Sequence, residues 1–228
     1  MRVRWYGQSA FSLTAEGHSV FIDPFGDFPS TPPPGRPAMR FAYPSIAGVS
    51  AELLLITHEH FDHNAADHIG GSPRVIRSTA GTLETPLGTV IAIASEHDAE
   101  AGTRRGPNTI FVFELGGVRV CHFGDFGQAG LRPAQAKAIG RVDLLLLPVG
   151  GGGATVDGAA AAAIAGELAP RWVVPMHYRT PAISFLEPAD AFLGACGDVR
   201  RLDGAEFETA ELAPGSGTVA VVPAPPPG

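Results

Sequence analysis

The chain has 228 residues, of which 45% are apolar, and its formal net charge is −7 at pH 7. This length fits one large domain or two small ones. The acidic balance, without a block of Lys or Arg, argues against nucleic acid or an anionic membrane surface as the main partner. No run approaches the roughly 18 apolar residues of a membrane span, and the first residues lack the pattern of a signal peptide. Because only Cys121 and Cys196 are present, we expect a cytoplasmic protein without a disulfide framework.

The N-terminal region has the pattern of a β-hairpin followed by a long loop. Apolar and polar residues alternate over residues 2–14, and the apolar residues 20–22 follow a turn. Pro24 ends the second strand and leaves Asp23 at its end. Residues 26–45 are rich in Pro and Gly and carry several aromatic residues. A loop of this length is either a lid beside a site or a surface loop held by its aromatic side chains.

The rest of the chain changes from strands to alternating strands and helices. A hairpin is predicted around Gly116 and Gly117, because apolar strands flank this glycine pair. Further strands are predicted at residues 50–56, 74–76, 90–93, 142–149 and 172–175, helices at 65–69, 133–139, 158–168 and 188–193, and two short final strands within 198–212. No linker separates two units. We therefore predict a single domain over residues 1–213 and a Pro/Gly-rich, partly disordered tail over residues 214–228.

A polar cluster at residues 57–64 directly follows a buried apolar strand. It contains His58, His60, Asp62 and His63. In an extended or loop backbone, residues i and i+2 project to the same side, so His58 and His60 can bind one metal ion. Asp62 and His63 point away from that pair, which suits a second ion nearby.

Three other strand ends carry residues of the same type: His97, Asp125 and His177. Strand ends on one edge of a sheet, or of two packed sheets, converge in space. Two ions about 3.5–4 Å apart need a shared ligand. Asp125 is the natural bridge, because Gly124 before it lets the backbone approach closely. Imidazole and carboxylate ligands suit Zn²⁺, Mn²⁺ and Fe²⁺.

These residues resemble the metallo-β-lactamase superfamily. The resemblance runs along the whole chain in the order His58-x-His60-x-Asp62-His63, His97, Asp125 and His177. Further segments are similar to the small metal-dependent hydrolases close to ascorbate-6-phosphate lactonase: Gly7-Gln8-Ser9-Ala10-Phe11, Ile22-Asp23-Pro24-Phe25, Gly124-Asp125 and Pro175-Met176-His177-Tyr178. The resemblance implies an α+β fold, the four-layer αββα sandwich in which two mixed sheets face each other, helices lie outside and the site lies at one edge.

The resemblance also implies a role for each ligand. The first ion is expected on His58, His60 and His97; the second is expected on Asp62, His63 and His177, with Asp125 as the bridge. A metal-bridging hydroxide would be the nucleophile, and Asp62 would also orient it or take a proton. Asp23 would support a ligand histidine. Glu59 and Phe61 are left as spacers.

Two further residues lie beside the predicted site with their roles open. Asn108 stands at a strand start, where it either caps the turn or lines the pocket. Tyr178 follows His177, where it either donates a hydrogen bond to the substrate or packs. His122, on the strand that leads to Asp125, is interpreted as structural.

The expected function is hydrolysis of an ester, lactone, amide or phosphodiester bond in a small cytoplasmic substrate by two divalent ions. We expect zinc, with manganese and iron as alternatives. One alternative function is a non-catalytic metal-binding or sensor protein on the same fold, and another is a diiron redox protein. The redox branch has His-x-Glu-x-Asp-His, whereas His60 stands at the second position here. The expected partner is a small molecule, with no nucleic acid and no membrane; the oligomeric state stays open.

Overall fold

The computed structural model describes residues 1–27, 40–213 and 215–226. The strands are β1 Arg2–Gly7, β2 Ala10–Ala15, β3 His18–Ile22, β4 Val49–Ser50, β5 Leu53–Ile56, β6 Ile69–Gly70, β7 Arg74–Arg77, β8 Gly81–Thr85, β9 Gly88–Glu96, β10 Pro107–Leu115, β11 Val118–His122, β12 Leu144–Pro148, β13 Trp172–Met176, β14 Asp198–Arg201, β15 Glu206–Glu208 and β16 Val219–Val222. The helices are α1 Pro133–Ile139, α2 Gly158–Leu168 and α3 Asp190–Ala195, and 3-10 turns cover Ala66–His68 and Thr209–Glu211.

Two mixed sheets form the body of the fold. The first has the strand order β15-β1-β2-β3-β5-β7, and the second has the order β14-β16-β13-β12-β11-β10-β9-β8. Alternate residues of the first sheet, such as Trp5 and Phe11, join residues of the second, such as Phe111, in one buried core. Each large side chain removed from water in this way stabilises the fold by roughly 1.5–3 kcal/mol. The predicted α+β sandwich is confirmed.

The two outer layers differ. On the second sheet, α1 contacts β9, α2 contacts β12, and α3 packs against α2. The Asp157 side chain begins α2 by accepting a hydrogen bond from the Ala160 backbone N–H at 2.8 Å. On the first sheet, a second apolar cluster that includes Phe21, Phe25 and Leu54 lies under loops. In the described residues of this loop layer, the helix predicted at 65–69 is a 3-10 turn, Ala66–His68.

The structure corrects the predicted tail. Val219–Val222 forms the buried strand β16, which pairs in parallel with β13 on one side and with β14 on the other. Its apolar and largely β-branched residues complete the sheet, so this part of residues 214–228 belongs to the domain. Gly and Pro residues flank this short strand, so the segment as a whole has the composition of a loop. Strand β8, which pairs with β9, was also not predicted.

The described end of the loop at residues 26–45 packs against the segment that follows β13. Phe41 pairs with Ile183, the Ala42 N–H donates to the Ala182 carbonyl at 2.8 Å, and Tyr43 Oη lies 2.9 Å from Thr180 Oγ1. Residues 28–39 lie outside the described part of the chain, so the choice between a lid and a surface loop stays open. In the described residues, no helix combines the length and apolar character that crossing a membrane requires.

Candidate metal centre

The structure brings all seven predicted ligands together in two groups, which follow the ends of β5, β9, β11 and β13. Group one is defined as His58, His60 and His97, and group two as Asp62, His63, Asp125 and His177. Within each group, one ligand atom per residue lies within 4.8 Å of the others. The convergence of separate strand ends, inferred from sequence, is therefore present in the fold.

Asp125 lies between the two groups. Its Oδ2 atom is 3.2 Å from His63 Nε2 and 3.1 Å from His177 Nε2, both in group two. The same atom is 3.2 Å from His97 Nε2 and 3.9 Å from His58 Nε2, both in group one. A single carboxylate oxygen therefore faces imidazole nitrogens of both groups, which is the position of a bridging ligand.

Asp23 orients His63 from outside the ligand set. This carboxylate is fully buried, and its Oδ2 lies 3.0 Å from His63 Nδ1. Since a carboxylate only accepts hydrogen bonds, Nδ1 carries the proton. In the neutral ring, which is the form that binds a metal ion, the lone pair of His63 is then on Nε2, which is buried and has no hydrogen-bond partner among the described residues. The predicted support of a ligand histidine by Asp23 matches this contact.

Asp23 also reaches His58, through Thr57. The Thr57 hydroxyl donates to Asp23 Oδ2 at 2.7 Å, and the Thr57 N–H donates to Asp23 Oδ1 at 2.8 Å. Because the hydroxyl proton goes to Asp23, Thr57 Oγ1 accepts from His58 Nδ1, 3.0 Å away. His58 therefore presents the lone pair of Nε2 to the site. One carboxylate thus fixes the tautomer of one histidine in each group.

His97 and His177 lack such support. The Nδ1 atom of each ring is buried and has no hydrogen-bond partner in the described part of the chain. Their backbones are held instead: the His97 N–H donates to the Gly106 carbonyl at 3.1 Å, and His177 has a left-handed φ of 50°. Asp98 fixes the loop that runs from His97 to Gly106. Its carboxylate accepts hydrogen bonds from four backbone N–H groups of this loop.

The two groups differ in electrostatics. Burial and the neighbouring His63 lower the pKa of His58 to about 2, and burial lowers the pKa of His60. Burial also lowers the pKa of His63, but Asp125, Asp62 and Asp23 outweigh it and raise that pKa well above its ordinary value. Burial raises the pKa of Asp125, but His177 and His63 bring it well below its ordinary value. His58 and His60 are therefore neutral nitrogen donors, and group two carries the carboxylate charge.

Asn108 holds Asp125 in place. Its Oδ1 accepts the Asp125 backbone N–H at 3.0 Å, and its Nδ2 donates at 2.8 Å both to Ser95 Oγ and to the Phe123 carbonyl. The residue is 1% exposed, so it supports the bridge rather than lining an open pocket. A Cβ at Gly124, where φ is +57°, would collide with Asn108 Oδ1 and with Thr57. Glycine is required there, as the sequence indicates.

Tyr178 and His122 have packing roles. The Tyr178 ring stacks on Trp5 with centroids 5.6 Å apart and is buried, which favours the packing alternative. His122 Nδ1 accepts from the Gly124 N–H at 3.1 Å, so its Nε2 donates to the Ser9 carbonyl at 2.9 Å. His122 is fully buried and lies outside both ligand groups.

Besides Thr57, sequence reasoning missed three residues that act on the site. Gln8 Nε2 donates to Asp62 Oδ2 at 3.1 Å, and Ser9 Oγ donates to Asp125 Oδ1 at 3.4 Å. The signal was a polar turn between two apolar strands. Glu59 is more than the predicted spacer. It anchors the loop of residues 57–64 by accepting hydrogen bonds from the Arg77 side chain at 2.6 and 3.0 Å. Those hydrogen bonds bring the pKa of Glu59 down to about 2.

The donor set fits divalent metal ions. Group one offers three imidazole nitrogens, and group two offers two imidazoles and two carboxylates. Ring nitrogens of two ligands also lie close together, since His58 Nε2 is 3.1 Å from His60 Nδ1, and a cation between them would be a common partner for both. Mixed nitrogen and oxygen ligands of this kind are typical of Zn²⁺, Mn²⁺ and Fe²⁺.

Comparison with known proteins points the same way. Residues 2–177 match the family model of the beta-lactamase superfamily domain. A metal-dependent hydrolase of Methylobacterium nodulans is 31% identical over an alignment of 262 residues that covers 98% of this chain and 100% of that protein. A metal-dependent hydrolase of Anaeromyxobacter dehalogenans (strain 2CP-C) is 31% identical over 219 residues, covering 80% of this chain and 76% of the relative. A crystal structure from Thermotoga maritima, assigned to the Zn-dependent hydrolases of the metallo-beta-lactamase superfamily, is 31% identical with a TM-score of 0.75 over 97% of both chains.

Proposed function

The chain belongs to the metal-dependent hydrolases of the beta-lactamase superfamily, and we propose that it uses two divalent ions, zinc by preference, to cleave an ester, lactone or phosphodiester bond. The observation that carries the two-ion proposal is the position of Asp125 Oδ2, which lies within 3.2 Å of imidazole nitrogens from both ligand groups. His58, His60 and His97 would hold the first ion. Asp62, His63 and His177 would hold the second, and Asp125 would be shared.

Bound divalent ions would supply the nucleophile, by lowering the pKa of water to about 7, and would polarise a carbonyl or phosphoryl oxygen of the substrate. The protein supplies orientation. Asp23 and Thr57 hold His58 and His63 in the tautomers that present Nε2, and Asn108 holds the backbone of Asp125.

Asp62 is suited to a second task, the handling of a proton. Its side chain is 15% exposed, whereas the side chain of Asp23 is fully buried and that of Asp125 is 3% exposed. Gln8 holds one of its oxygens, Oδ2. Asp62 can therefore orient the attacking water or accept its proton at the open side of the site.

The open side lies at His60 and Asp62, because the other five ligands are buried. A small-molecule substrate would reach the ions from there. Phe61, between these two ligands in sequence, is 53% exposed and offers an apolar surface at the entrance. A cytoplasmic location stays a prediction.

The test is a hydrolysis assay of zinc-loaded protein on nitrophenyl esters, a lactone panel and a bis(nitrophenyl) phosphodiester. We expect turnover of at least one substrate class, lost on chelation and restored by Zn²⁺. Two bound ions without turnover of any substrate would instead indicate a non-catalytic metal-binding protein. An iron-loaded sample with a visible charge-transfer band and oxygen consumption would indicate a diiron redox protein.

A further inference from the structure

The turn between β1 and β2 is strained and fully buried. Gly7 has a φ of +111° and Gln8 a φ of +49°, and Gln8 is 0% exposed. A left-handed backbone is unfavourable for a residue with a long side chain, and it persists only where the surroundings determine it. A Cβ at Gly7 would collide with the Tyr43 ring, so this turn packs too closely for another residue there.

The backbone of this turn holds His177. The Gln8 carbonyl accepts the His177 backbone N–H at 3.2 Å and the Trp5 indole N–H at 3.0 Å. His177 itself has a left-handed φ of 50°. Two strained residues from distant parts of the chain are therefore joined directly, and one of them is a ligand of group two.

The side chain of Gln8 holds a second member of the same group. Its Nε2 donates to Asp62 Oδ2 at 3.1 Å. The Asp62 carboxylate only accepts, so the amide cannot be reversed without losing this hydrogen bond. The other amide atom, Oε1, is buried and has no hydrogen-bond partner among the described residues. The neighbouring Ser9 hydroxyl reaches Asp125, again in group two.

We propose that Gln8 is a positioning residue for the second metal ion. This inference rests on the two-ion function proposed above and goes beyond it by assigning selectivity to the turn. The Gln8 amide holds Asp62 Oδ2, the oxygen that lies 3.6 Å from His63 Nε2, while the Gln8 carbonyl fixes the backbone of His177. In the described part of the chain, the hydrogen bonds of Gln8 reach no member of group one. Loss of the amide should therefore weaken the second ion and spare the first.

The test compares Zn²⁺ binding by wild-type protein, Gln8→Asn and Gln8→Met, measured by competition with a chromophoric chelator. Asparagine tolerates a left-handed backbone but is too short to reach Asp62. Methionine keeps the length and removes the donor. Partners of metal ligands typically contribute 10–100-fold to affinity. We expect that loss for the second ion in both variants, with the first ion within about twofold of wild type.

Ser12→Ala, on the same hairpin, is the control. The Ser12 hydroxyl contacts Tyr6 Oη rather than a member of either group, so this variant should bind both ions like the wild type. Circular dichroism of each variant establishes that it is folded. If the wild type binds two ions and a folded Gln8→Asn variant binds both with unchanged affinity, or loses both equally, the inference is wrong while the proposed function stands. A wild-type protein that binds only one ion contradicts the two-ion function, and the inference with it.

Discussion

Two pairs of histidines in the same site are held by different means. His58 and His63 are fixed through their rings, because Asp23 and the Thr57 hydroxyl determine which nitrogen carries the proton. His97 and His177 are fixed through their backbones, and their Nδ1 atoms have no hydrogen-bond partner in the described residues. His58 and His63 are therefore oriented without an ion, whereas the rings of His97 and His177 would gain a fixed orientation when an ion binds.

This difference separates residues by the kind of damage their loss should cause. A substitution of Asp23 or Thr57 changes the protonation and orientation of the His58 or His63 ring, so it should alter the affinity for the metal ion while sparing the fold. Substitution in the loop after His97 changes a backbone position, so it should alter stability as well as affinity. The bridge at Asp125 is common to both pairs and lies outside this distinction.

The largest effect is expected from Asp125→Asn. The substitution keeps the shape of the side chain but removes the charged oxygen that faces both groups. Both ions should bind more than about 100-fold more weakly, because the loss of a ligand should exceed the 10–100-fold loss that is typical when a hydrogen-bond partner of a ligand is removed. Hydrolysis should be abolished. Elemental analysis and the hydrolysis assay measure this.

His60→Ala is the comparison, since it should abolish turnover while retaining the second ion. Near-full activity of either variant would contradict the assignment of the ligands.

The next effect separates Asp23 from Thr57. Asp23→Asn should weaken both ions by about 10–100-fold, because Asn has a single acceptor oxygen. It cannot accept both the Thr57 backbone N–H at Oδ1 and the Thr57 hydroxyl and His63 at Oδ2. Thr57→Val removes only the link to His58, so it should weaken the first ion and leave the second near wild type. Zn²⁺ titration of both variants measures the difference. Equal loss of both ions in Thr57→Val would show that the hydroxyl does not act through His58.

A smaller effect is expected from Asp98→Ala. The variant leaves four backbone N–H groups of the loop after His97 without their acceptor. The Tm should fall and the first ion should bind less than about tenfold more weakly, a modest change because His97 keeps its own backbone hydrogen bond to the Gly106 carbonyl. Thermal melts of the metal-free and zinc-loaded protein check both parts. An unchanged Tm together with a strongly weakened ion would contradict backbone support of His97.

The smallest effect is expected from Glu59→Gln. Glu59 is exposed, so its ion pair with Arg77 should contribute only about 0.2–1 kcal/mol to the free energy of unfolding. The pKa of Glu59 is lowered from 4.5 to about 2. This contribution is therefore present above pH 4.5 and is lost as the pH falls towards 2. Denaturant unfolding at pH 7 and at pH 3 compares wild type and variant, and the difference between them should shrink at the lower pH. A difference that grows at pH 3 would have the wrong sign.

The ligands could be predicted because each follows an apolar strand in the sequence, and strand ends meet at a sheet edge. The hairpin around Gly116 and Gly117 and the bounds of Pro133–Ile139 were predicted correctly for the same reason, since local patterns determine them. The actions of Gln8 and Thr57 could not be predicted. Gln8 acts on Asp62, 54 residues away, and Thr57 acts on His58 only because Asp23 takes its proton.

Two misses have the same origin in the fold. Val219–Val222 is a strand because β13 and β14 leave a place between them, and its four-residue apolar pattern is short and flanked by Gly and Pro residues. Glu59 is an anchor because β7 brings Arg77 beside it, 18 residues further along the chain. Pairings between distant segments depend on the completed sheet order, which short-range patterns do not determine.

The central claim is that two ions share Asp125 and that both are needed for hydrolysis. Metal-free protein titrated with Zn²⁺, with bound zinc per chain and hydrolysis rate measured at each step, tests it directly. We predict that zinc saturates at two ions per chain and that the rate reaches its maximum only as the second ion binds. Saturation at one ion per chain with full activity would contradict the claim.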